Sequence, residues 1–111
     1  MEIKIAKFNT KDYEINIEGY DEEIGKIIFV VEDCLKNVVL KKELGNGIEK
    51  TGDNQYLLSI EANDTKKMNA MYSYKYFLEV IIENPSYVET TLTGDFILEE
   101  SSSDLGDEIN G

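Results

Sequence analysis

Apolar and polar residues alternate along most of the chain, the two-residue period of a half-buried strand. Ile3 and Ile5 alternate with Glu2, Lys4 and Ala6, and Tyr13, Ile15 and Ile17 with Glu14 and Asn16. Lys26 to Glu32 is apolar on both faces, with Ile27, Phe29 and Val31 on one and Ile28 and Val30 on the other. Such a strand is central, or has one face against a partner. Val38, Leu40 and Leu44 share one side of the next segment, and Tyr56, Leu58 and Ile60 alternate with Leu57, Ser59 and Glu61. A long strand follows, with Tyr72, Tyr74, Tyr76, Leu78, Val80 and Ile82 inward and Phe77 and Ile81 outward. In the last strand Val88, Thr90, Leu92, Phe96 and Leu98 share a register, and Gly94 predicts a bulge or a close backbone approach.

Punctuation falls between these runs. Gly19 to Gly25, Gly45-Asn46-Gly47, Thr51 to Asn54 and Asn84-Pro85-Ser86 are turn sequences. Asn63 to Ala70 breaks the alternation and predicts one helical turn, capped by Asn63 or Asp64, with Met68 and Met71 on its inner side. Seven short strands and no long helix predict an all-β fold, an Ig-like antiparallel β-sandwich. Tyr13, Ile15, Phe29, Leu58, Ile60, Tyr72, Leu78, Val80, Leu92 and Phe96 are its expected core. Residues 1–98 form the domain. Residues 99–111 form an acidic tail, whose end, Asp104 to Gly111, is too poor in apolar residues to order alone.

Composition narrows the chemistry. The 111 residues carry 23 acidic and 11 basic side chains, a net charge of −12, and every basic residue is Lys. The chain has no His, Arg or Trp, one Cys and one Pro. Without His or a Cys pair there is no imidazole base, no Ser-His-Asp or Cys-His nucleophile, no intramolecular disulfide and no Cys- or His-ligated zinc. The acidic balance argues against nucleic acid as a partner. The start of the chain lacks the apolar stretch of a signal peptide, and Ile27 to Val31 is far too short to span a bilayer. The expectation is a protein made in a cytoplasm, with no membrane partner, no cofactor and no catalytic or metal site.

Several features have both a chemical and a plain structural reading. Cys34, with no cation beside it to lower its pKa, reads as a small residue at a turn rather than a reactive thiol. Asp21-Glu22-Glu23 and Asp104, Asp107 and Glu108 form no calcium-loop pattern and read as solvated charge. Nothing selects Glu22, Glu99 or Glu100 as one of a glycosidase pair. Tyr72, Tyr74, Tyr76 and Tyr87 either stack on sugars, as in a carbohydrate-binding module, or pack across strands, and packing is the commoner use. Ile28, Val30, Phe77, Ile81 and Ile97 form a second apolar face that one sandwich cannot bury, which points to a protein interface.

Two resemblances add to this. Asp64-Thr65 followed by Ala70, Tyr72 and Tyr74 resembles the immunoglobulin corner, with Tyr72 as the corner tyrosine and Tyr74 where antibody domains have Cys. The chain from about residue 12 to 98 also resembles a family of small phage and prophage tail proteins with an Ig-like domain, the N-terminal domain of phage baseplate upper protein among them. The carrying segments are Gly25 to Glu32, Leu40-Lys41-Lys42 with Gly47-Ile48, Tyr56 to Ile60 with Asp64-Thr65, and Tyr72-Ser73-Tyr74 with Tyr87 to Phe96. Lys75 departs from the acidic residue usual there. The resemblance implies a non-enzymatic structural part of a phage, prophage or tail-like particle. It implies bacterial synthesis, and assembly with copies of itself and other particle proteins.

Overall fold

The computed structural model describes residues 2–19, 24–82 and 87–100. The expected loop acids 21–23, the turn at 84–86 and the tail from 101 onward lie outside them. Eight strands are present: β1 (Ile3–Ala6), β2 (Lys11–Asn16), β3 (Lys26–Glu32), β4 (Val38–Leu44), β5 (Gly47–Gly52), β6 (Gln55–Ile60), β7 (Tyr74–Ile82) and β8 (Tyr87–Glu99). The helical interruption is a single 3₁₀ turn, Ala62–Thr65.

Hydrogen bonding runs in the order β1-β8-β7-β3-β4-β5-β6-β2. The sheet folds over at the β4–β5 junction, held by only two residue pairs, so that β1-β8-β7-β3-β4 and β5-β6-β2 form the two layers of a β-sandwich around one buried cluster. Two pairs depart from the antiparallel expectation. β1 runs parallel to β8, and β4 to β5 through the two pairs Glu43 with Gly47 and Leu44 with Ile48. Glu43 and Asn46 exchange both backbone hydrogen bonds, at 2.9 and 2.8 Å, so the chain makes a tight two-residue turn over Leu44 and Gly45 before it enters β5. Gly45 and Gly47 adopt φ of 91° and 96°, a region costly for side-chain-bearing residues. A Cβ on Gly47 would also strike the stem of Lys42.

The alternating residues meet between the layers. Ile27, Phe29, Val31, Tyr76, Leu78, Val80, Phe96 and Leu98 face Ile15, Ile48, Tyr56, Leu58 and Ile60, all buried. The Phe29 and Tyr76 rings lie 5.7 Å apart, tilted by 30°. Of the expected core, Tyr13 and Leu92 are only partly buried, packed at its margin. The ribbon's two outer strands, β1 and β2, are joined by side chains: the Tyr13 hydroxyl and the Lys11 ammonium both donate to the Lys4 carbonyl, at 3.1 and 3.4 Å.

Two irregularities change the faces. Between Leu78 and Glu79 the register shifts by one, so Leu78 faces Leu92 while Glu79 faces Thr90, leaving Thr91 as the extra residue. The bulge therefore lies three residues before Gly94. Val88 and Thr90 turn to the outer face, away from Leu92, Phe96 and Leu98. A similar shift after Val31 pairs Val38 with Glu32 on the outer face, leaving Val38 56% exposed rather than in line with Leu40 and Leu44.

Candidate functional site

The expected corner is present but is built by a different tyrosine. Tyr72, expected to enter the core, is 61% exposed. Its N–H donates to the Asn69 carbonyl and the Met71 N–H to Asn69 Oδ1, a tight turn that holds 69–72 out of the strand. Tyr74 is the first residue past this turn to pair in the sheet, and it is buried. Its hydroxyl accepts the Asn69 N–H at 2.8 Å. The same turn ejects Met71, which is 85% exposed, while Met68 is buried as expected.

Asp64 and Thr65 tie this corner to both layers. The Glu61 N–H donates to Asp64 Oδ2 at 2.7 Å, which secures the start of the 3₁₀ turn. The same oxygen receives the Lys42 ammonium at 2.7 Å in a mostly buried ion pair. The fully buried Thr65 accepts the Phe8 N–H on Oγ1 at 2.9 Å, fixing the β1–β2 turn where Phe8 has a positive φ of 68°. These groups are satisfied by one another, so the corner is a joint rather than a site.

The outer face of β1-β8-β7-β3-β4 is the remaining candidate. Register places Val30 beside Phe77, Ile28 one outward step along β3 opposite Glu79, and Ile81 two outward steps along β7 opposite Lys26. Ile81 pairs with Val88, which extends the apolar patch onto β8. Ile28, Val30, Phe77 and Ile81 are each only half-buried, so the sandwich leaves part of each in water. Ile97 is half-buried on the same face but stands apart, beyond the Lys75–Asp95 ion pair (3.3 Å), and lines a shallow groove with Met71 and Tyr72.

Charges on this face nearly cancel. Lys4, Lys26, Lys41 and Lys75 point outward with Glu32, Glu43, Glu79, Asp95 and Glu99. That is four cations to five anions, in a chain of 11 and 23. Lys41 pairs with Glu43 at 3.0 Å along β4. Both this ion pair and Lys75–Asp95 are about half exposed or more, so they contribute little to stability.

A second group of apolar residues was not foreseen. The 33–37 loop follows the end of β3, and 71–73 precede the start of β7, at the same end of the layer because these strands are antiparallel. Leu35, Val38, Met71 and Tyr72, all more than half exposed, gather there. The loop is held rigidly: Asp33 Oδ1 accepts the N–H groups of Leu35 and Asn37, both at 2.9 Å. The Asn37 bond is the main reason the Asp33 carboxyl is held below the usual carboxylate range. Cys34 is free and exposed in this loop. Only the bulge after Val31 and the turn at Asn69 expose Val38 and Tyr72, and neither has a sequence signature.

The four tyrosines form no shared platform. Tyr74 and Tyr76 are buried, and burial raises the Tyr76 pKa. Tyr72 and Tyr87 are exposed at opposite ends of the layer, before the start of β7 and opposite its last residue. Among the described residues no three His, Cys, Asp or Glu side chains converge, and no helix is long and apolar enough to cross a membrane. Compared with known protein families and curated proteins, the sequence matches no family model and no curated protein.

Proposed function

We propose that this chain is a non-enzymatic structural component of a phage, prophage or phage-tail-like particle, made in the bacterial cytoplasm and acting by protein–protein assembly. The observation that carries the assembly part is the half-buried apolar face of Ile28, Val30, Phe77 and Ile81, set among nearly balanced charges. An outward apolar patch on a sandwich whose core is already filled has no folding role of its own, and a polypeptide surface is what would cover it. The particle part rests on the resemblance of the four segments between residues 12 and 98 to phage tail proteins. The absence of His and Arg agrees with a role outside catalysis. The separation of the tyrosines favours this reading over a carbohydrate-binding module built on a shared aromatic platform.

The test is mass spectrometry of particles purified after prophage induction in the bacterium that encodes the chain. The expected result is this chain in the particle fraction, in fixed ratio to the other tail proteins. Its presence only in the particle-free supernatant would contradict the reading.

A further inference from the structure

We infer that the occupant of the outer face is a second copy of this chain, bound about a two-fold axis that lays β3 of one protomer over β7 of the other. The inference rests on the assembly reading above and adds the partner and the register. Two copies carrying −12 each repel, so a homophilic contact needs a surface on which that charge is locally absent. The outer face is such a surface, and its charges are also placed for self-recognition. On β3 the outward residues run Lys26, Ile28, Val30, Glu32, and β7 presents Ile81, Glu79, Phe77 and Lys75 opposite them. An axis parallel to the strands, midway between β3 and β7, exchanges the two strands. Val30 then meets the second copy's Phe77, and Glu32 meets its Lys75. Each contact occurs twice, as an isologous interface requires. The flanking strands exchange as well, setting Lys41 against Thr93 and Glu43 against Thr90. No row opposes like charges. Aligned sheet packing departs from parallel by about 30°, which the rows nearest the axis tolerate.

The register is tested with two charge reversals, Glu32→Lys and Lys75→Glu, studied by sedimentation equilibrium and native mass spectrometry. Both positions are on the outer face, so circular dichroism should show each variant folded. Alone, either variant places two like-charge pairs in its homodimer, and its self-association should weaken by about tenfold or more relative to wild type. Mixed in equal amounts, the two variants place Lys against Glu at both contacts. The mixture should therefore recover a dimer containing one chain of each kind. Phe77→Asp supplies an independent arm and should abolish dimerisation without rescue by mixing. A mixture that stays monomeric, variants that dimerise like wild type, or a monomeric wild type would each overturn the inference. If the wild type dimerises but mixing fails, the copies meet through another surface, and the assembly reading stands without this contact.

Discussion

Tyr74, Asp64 and Thr65 show how a few polar atoms hold a β-sandwich corner. Each accepts a backbone N–H from a different segment: Asn69, Glu61 and Phe8. Removing the Tyr74 hydroxyl leaves the ring's packing and orphans one partly buried donor. Tyr74→Phe should therefore lower unfolding stability by about 1 kcal/mol in urea titrations. Tyr72→Phe should change it by less than about 0.5 kcal/mol, as at other exposed positions. The reverse order would restore Tyr72 as the corner residue. At the same end of the layer, Asp33 accepts its bonds as a carboxylate, so its folded-state pKa is depressed. The sign follows: its contribution to folding is present above the unfolded-state pKa and is lost as pH falls through the lower folded value. A carbon-detected NMR titration should place its midpoint below those of freely solvated aspartates, and Asn37→Pro, which deletes the N–H that contributes most, should move it up.

At the scale of strands, alternation located almost every element. Phe29, Leu58, Leu78 and Phe96 are all buried as their spacing requires. Phe29→Ala should cost about 3–5 kcal/mol, the cost of a cavity beneath Tyr76 that rigid sheets cannot close. A loss under about 1 kcal/mol would show that the inner faces are misassigned. What alternation did not reveal was where its phase breaks. A bulge is one extra residue, and Thr91, a good strand residue on a strand of good strand residues, carries no mark of being one. Gly94 carries such a mark and keeps the regular register. The corner was legible in Asp64-Thr65, whereas the choice between Tyr72 and Tyr74 depended on how many residues the Asn69 turn consumes. The parallel pairing of β1 with β8 is a tertiary outcome with no local signature. For the candidate site, Ile28, Val30, Phe77 and Ile81 were visible as apolar residues of the wrong parity. The exposed end formed by Leu35, Val38, Met71 and Tyr72 was not, because Val38 and Tyr72 had the parity of core residues.

For the whole molecule, charge and apolar surface act in opposite directions. A net charge of −12 keeps copies apart through long-range repulsion, which salt screens, while the nearly neutral outer face offers one place where contact is not opposed. Self-association should therefore strengthen as salt is raised from low to moderate concentration. The central claim is that two copies of the chain meet through the outer face. It is tested most directly by sedimentation equilibrium of the wild-type chain over a wide concentration range, beside Phe77→Asp. The account predicts a wild-type mass that rises above 12.6 kDa with concentration and a folded variant that remains at the monomer mass. A wild-type chain that stays at 12.6 kDa throughout, or a variant that associates as the wild type does, would contradict it.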